Sequence, residues 1–113
     1  MSQSLQYVDN FLEMLAVERG AAQNTLDSYG RDLRHFTDFV GSAIADAASD
    51  DIRSYLAYLE REGMAPSTSA RRLSALRQFY HFLHAEGMRD DDPSTAIDSP
   101  RRVRPLPKVL TEA

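Results

Sequence analysis

Apolar residues along the chain recur every three or four positions, the spacing of one face of an α-helix, and no stretch alternates cleanly enough for a strand. The first such pattern runs from about Ser4 to Arg19, with Leu5, Val8, Leu12 and Leu15 as its inner stripe. Gly20 comes next, a residue that tolerates the left-handed turn that stops a helix. A second helix is expected from Asn24 or Thr25, either of which can accept a hydrogen bond from first-turn amides. Its stripe is Leu26, Tyr29, Leu33, Phe36 and Val40, and Gly41 ends it. The Ala-rich segment 42–48 has Ile44 as its anchor. A third helix is expected after Ser49, where Asp50 and Asp51 suit the positive end of the helix dipole. Ile52, Tyr55, Leu56 and Leu59 form its buried side, and Gly63 closes it. The fourth follows Pro66 and Ser67, a strong start signal. Ala70, Leu73, Leu76, Tyr80 and Leu83 give its stripe, and it ends near Glu86 and Gly87.

Beyond Gly87 the pattern changes. Residues 90–93 (DDDP) break any helix, and residues 99–108 pack three prolines and four basic residues into ten positions. Proline at that density holds a segment extended and denies it a helix or a central strand. The pattern therefore predicts an all-α protein: a compact four-helix bundle over 1–88, then a Pro/Arg-rich arm or linker over 89–113. The closing residues 108–113 have the look of a first turn of a further element.

Composition narrows the class. The 113 residues are 42% apolar and 27% charged, an ordinary globular balance of a size for one core. No apolar run approaches the roughly 18 residues that span a bilayer. The first residues lack the basic-then-apolar form of a signal peptide. Cysteine is absent, so there is no disulfide or thiolate site, and a reducing, cytoplasmic compartment is expected. The net charge of −4 argues by itself against nucleic acid. Its distribution argues otherwise: residues 1–66 carry 5 basic and 11 acidic side chains, whereas 67–113 carry 8 and 6.

The polar faces point to a use for that asymmetry. On the fourth helix Ser67, Arg71, Ser74 and Gln78 recur at intervals of four, three and four, so they share one side. No carboxylate lies between Ser67 and Ala85, and Arg72 and Arg77 flank the face within reach of phosphates. The second helix repeats the arrangement with Asn24, Ser28, Arg31 and His35, and its N-terminal amides can receive a phosphate. Asp27, Asp32 and Asp38 lie beside this face and weaken it. Arg101, Arg102, Arg104 and Lys108 suit a strap along a phosphate backbone. The bland alternative is that every soluble helix needs a polar side and every terminal arm is solvated. His81 and His84 have a metal-compatible spacing but no evident third ligand. Neither a glycine-rich phosphate loop nor a nucleophile–base pair is present, so no catalysis, metal, cofactor or small-molecule substrate is expected of these residues.

Three segments, in order, resemble the N-terminal core-binding domain of tyrosine recombinases of the Xer and phage-integrase type. Residues 24–36 (NTLDSYGRDLRHF) resemble its second helix and residues 67–83 (STSARRLSALRQFYHFL) its fourth. Residues 91–94 (DDPS), 99–101 (SPR) and 106–112 (LPKVLTE) are similar to the connection into the catalytic domain. The resemblance implies a SAM-like helical bundle that closes over one side of a DNA recombination site while a catalytic domain grips the other. It implies recombinase protomers as partners, in a tetramer on DNA, and roles in integration or chromosome dimer resolution. Carried over by position, Asn24, Thr25, Ser28 and Arg31 would contact DNA from the second helix. Ser67, Thr68, Ser69, Arg71, Arg72, Ser74 and Arg77 would do so from the fourth. Gly30 stands where relatives often carry a larger or basic residue, which would loosen the second helix and remove a phosphate contact. The family's catalytic arginines, histidines, lysine and tyrosine belong to the domain after this one, and none is assigned here. About five neutralised phosphates would give a log–log salt slope near −4 to −5. The rival expectation is a helical protein–protein module that offers Phe79, Tyr80, Phe82 and Leu83 to a partner.

Overall fold

The computed structural model describes residues 3–41 and 44–97. Four helices appear in the order expected: α1 (Gln3–Glu18), α2 (Gln23–Val40), α3 (Ser49–Arg61) and α4 (Pro66–Ala85). Two short 3-10 turns accompany them, Ile44–Asp46 before α3 and Pro93–Ala96 after α4, and no strand occurs among the described residues. The protein is all-α.

α4 is the central helix. Its inner row is Ser69, Leu73, Leu76, Tyr80 and Leu83, spaced by four, three, four and three, and every one of these is buried. Phe79 and Phe82 widen the apolar surface toward α1, where Phe11 meets Phe79 edge-on at 5.7 Å and Phe82 at a tilt at 5.6 Å. Phe36 of α2 meets Tyr55 of α3 at 4.9 Å, again edge-on, an arrangement that aligns ring edges with ring faces. Leu15, Leu33, Ile52 and Leu59 complete the core, and Ile44 is the fully buried anchor expected of the connecting segment. Each large side chain so buried contributes about 1.5–3 kcal/mol relative to exposure.

The helix ends differ from expectation at their starts. Gly20 and Gly41 do adopt left-handed φ values of 62° and 82°, and the Gly41 amide donates to the Thr37 carbonyl at 2.9 Å. Neither Asn24 nor Thr25 caps α2, however. The cap is Ala22, with no side-chain hydrogen bond, and both polar residues sit exposed inside the first turn. α3 likewise starts one residue early: Ala48 is its cap, and its amide donates to the Asp51 carboxylate at 2.8 Å. Ser49, freed from capping, donates its hydroxyl to the Pro93 carbonyl at 2.8 Å.

That last bond belongs to a larger set of contacts, through which residues 93–97, in the segment expected to begin a linker, fold back on the bundle. Pro93, Ser94 and Ile97 are buried, and Arg77 donates to the Ile97 carbonyl. Asp92 nucleates the turn by accepting from the Ser94 amide at 2.9 Å and from its hydroxyl at 2.6 Å. Arg89 donates to the Ala45 carbonyl at 2.8 Å while its guanidinium lies 5.4 Å from the centre of the Tyr80 ring. The run of aspartates breaks the helix, as expected, but residues 93–97 then form a turn with its own apolar anchor. Arg101, Arg102, Arg104 and Lys108 lie outside the described residues.

Candidate nucleic-acid interface

The polar faces of α2 and α4 come together on one side of the bundle. The tie between them is Asp32, a carboxylate only 2% exposed. It lies on the row Ser28–Asp32–Phe36, at the margin of the core stripe, so folding brings it out of water. An ionised carboxylate there needs donors. Arg71 of α4 supplies two, with NH2 2.9 Å from Oδ1 and Nε 3.3 Å from Oδ2. Asp32 holds the Arg71 guanidinium still more firmly protonated than usual, first through these hydrogen bonds and then through its charge. The rest of Arg71 faces solvent, with 53% of the side chain exposed.

Arg72 turns the other way. Its side chain is 12% exposed, and its Nε lies 3.9 Å from Asp32 Oδ1 without a hydrogen-bond partner. Its NH1 donates to the Tyr55 hydroxyl of α3 at 3.1 Å, and that hydroxyl lies 2.8 Å from His35 Nδ1. Arginine can only donate, so the tyrosine oxygen accepts from Arg72. The direction of the Tyr55–His35 bond depends on the tautomer of the ring: a neutral His35 with its proton on Nε2 accepts the phenol proton at Nδ1. Burial, and then the nearby Arg72 charge, lower the His35 pKa below its ordinary 6.5, in agreement with that assignment. Burial raises that of Tyr55, which stays a phenol. A second tie lies further along: Gln78 donates to the Tyr29 hydroxyl at 2.7 Å and accepts from Arg19 at 3.1 Å.

The expected contact residues therefore divide. Asn24, Thr25, Arg31, Ser67, Arg71 and Ser74 are exposed on this side, and Ser28 and Thr68 are half-buried. Ser69 is not available: at 7% exposure it occupies the inner row, 40° around the helix from Leu73. Ala70, expected in that row, is only half-buried. Arg72 is an internal brace, and Arg77 is tied to the chain that follows α4. Gly30 is buried between α1 and the Arg34 side chain, where an added Cβ would lie 3.4 Å from Arg34 NH2 and 3.5 Å from Leu12 Cδ1. Sequence reasoning missed that Asp32 pairs with Arg71 and that the buried Tyr55 carries a hydroxyl bonded to Arg72. The available signal was an acid on the same helical row as Phe36.

His81 and His84 are exposed, and no cluster of three potential metal ligands forms among the described residues. No helix there is long and apolar enough to cross a membrane.

Residues 8–87 match the family model of the phage integrase N-terminal SAM-like domain, and the chain belongs to that family. Among curated proteins it is similar to the tyrosine recombinase XerD of Rhizobium meliloti, at 54% identity over 96% of this chain and 36% of the relative. It is similar also to the tyrosine recombinase XerD of Caulobacter vibrioides, at 50% identity over 97% of this chain and 37% of the relative. The chain thus spans about a third of the length of these relatives. The fold resembles part of the integrase from mycobacterium phage Brujita, with a TM-score of 0.75 at 22% identity, covering 89% of this chain and 34% of that one.

Proposed function

We propose that this chain is the DNA-binding N-terminal domain of a XerD-like, site-specific tyrosine recombinase, closing over one side of duplex DNA at a recombination site. The observation that carries the proposal is the joined α2–α4 surface. Two uncapped helix starts, short hydroxyls and exposed arginines share one side, and of the three aspartates beside them Asp32 is buried under Arg71 while Asp27 and Asp38 stay exposed. Small side chains let a helix approach a groove, and first-turn amides can receive phosphates. In this reading the domain positions DNA and breaks no bond. Strand cleavage and rejoining belong to the part of the relatives that this chain does not span. Assembly as a tetramer on paired sites, chromosome dimer resolution and action in the cytoplasm are part of the same reading, which the likeness to XerD proteins supports. Arg101, Arg102 and Arg104 add a strap along the backbone.

The geometry lowers the expected electrostatic share. Arg72 and Arg77 are engaged internally and Arg71 is paired with Asp32, which leaves Arg31 and Arg34 of α2 as the exposed cations nearest this face among the described residues. Two or three neutralised phosphates give a log–log salt slope of about −2 to −3, and a strapping arm would steepen it. Fluorescence anisotropy with a labelled duplex tests this. Arg31→Ala should weaken binding at low salt and flatten the slope by about one. Wild type that fails to bind at low salt, or a slope unchanged by Arg31→Ala, overturns the reading. The rival, a protein–protein module, loses its surface: Phe79, Tyr80, Phe82 and Leu83 are all buried in the chain's own core.

A further inference from the structure

Arg71 and Asp32 together have a geometry that a phosphate contact does not need. The carboxylate takes the Nε–H and one NH2 proton, one long edge of the guanidinium. The end fork, formed by NH1 and the second NH2 proton, remains free on a side chain that is half exposed. We infer that Arg71 is a guanine-reading residue, and that Asp32 is the positioning residue that aims its free fork at the base edge. The inference rests on the DNA-binding reading above.

Three points favour a base over a phosphate. First, an arginine bonded at 2.9 Å to a carboxylate has lost most of its value as a counterion, yet it keeps its donors. A phosphate rewards net charge, whereas the guanine edge, with O6 and N7 as paired acceptors, rewards two correctly spaced donors. The surplus charge of the Arg71–Asp32–Arg72 trio sits on Arg72, which is 12% exposed and turned inward to Tyr55. Second, bracing fixes a flexible side chain before binding, which removes part of the ordering cost of a directional contact. Third, the exposed neighbours on the same helical face, Ser67 four residues before and Ser74 three after, are small enough to let the backbone approach a groove floor.

The test is selection from a pool of short duplexes randomised across their interior, with the full chain and two variants. Wild type should enrich guanine at one position by at least about fivefold, the lower end for a bidentate pair. Arg71→Lys, which keeps the charge but loses the fork, should still bind and should lose that guanine. Replacing the selected guanine with 7-deazaguanine, which lacks the N7 acceptor, should weaken wild type and leave Arg71→Lys unaffected. Asp32→Asn should blur the preference while binding at low salt strengthens, because a negative charge is gone. A purely structural role for Asp32 would not split the two readouts in that way. Should Asp32→Asn fail to fold, the lysine variant and the modified base decide. Salt-sensitive binding by wild type without a guanine preference, or a preference that survives Arg71→Lys, overturns the inference and leaves the DNA-binding reading standing. No salt-sensitive binding by wild type overturns both.

Discussion

Removing a single oxygen at the centre of the molecule should have a large effect. Tyr55 is fully buried, and its hydroxyl joins Arg72 of α4 to His35 of α2. Tyr55→Phe keeps the ring and its edge-on contact with Phe36, and deletes both hydrogen bonds. Arg72 then has neither NH1 nor Nε satisfied on a side chain that is 12% exposed. An unsatisfied buried donor costs about 1–3 kcal/mol, more for a charged group. The second lost bond, on a half-buried histidine that water can reach, adds about 0.5 kcal/mol. The sum is about 2–3 kcal/mol, which for a domain of this size lowers Tm by about 10–15 °C. Thermal and urea unfolding followed by circular dichroism measure it. Tyr58→Phe is the control, since that hydroxyl makes no hydrogen bond among the described residues and should change stability by less than about 0.5 kcal/mol. If Tyr55→Phe stays within the same margin, the brace is not a structural element and the role given to Arg72 is wrong.

Two further outcomes rest on the same geometry. His35 has a lowered pKa in the fold, so below its unfolded value of 6.5 the unfolded chain binds more protons than the folded one. Stability should therefore fall as pH drops from 7 through 6.5 toward the lower folded value, and His35→Gln, which keeps an acceptor for Tyr55 without a titrating ring, should flatten that fall. Equal urea midpoints for the two proteins at every pH would refute it. Ile97→Ala tests whether the domain extends past residue 88: Ile97 is 5% exposed, and its truncation should cost about 2–4 kcal/mol by urea unfolding. A cost below about 0.5 kcal/mol would return Ile97 to the linker.

The helices were legible because each has a strong apolar period and a glycine at or near its end. Leu33, Phe36, Leu73 and Leu76 could be placed in the core from spacing alone. What resisted was whatever depends on a partner distant in sequence. Asp32 reads as an acid spoiling a polar face until Arg71, thirty-nine residues later, is seen to cover it. Adjacent Arg71 and Arg72 look interchangeable in the chain, yet a 100° turn of the helix sends one to solvent and the other to Tyr55. Ser69 was carried over by position from the family resemblance, and its angular distance of 40° from Leu73 puts it in the inner row instead. The aspartates at 90–92 correctly signalled a break, but a single Ile97 is too short a pattern to announce that the turn after them packs against α4. The caps failed too: α2 and α3 begin ahead of the expected Asn24 and Ser49, after Ala22 and Ala48, which have no capping side chain to announce them.

The central claim is that duplex DNA lands on the joined α2–α4 surface. Amide chemical-shift mapping of the full chain, titrated with a short duplex at low salt, tests it most directly. Saturable shifts concentrated in residues 24–31 and 67–74, reversed by added salt, are the predicted result. Shifts confined to the outer face of α1, or none that saturate, would contradict it.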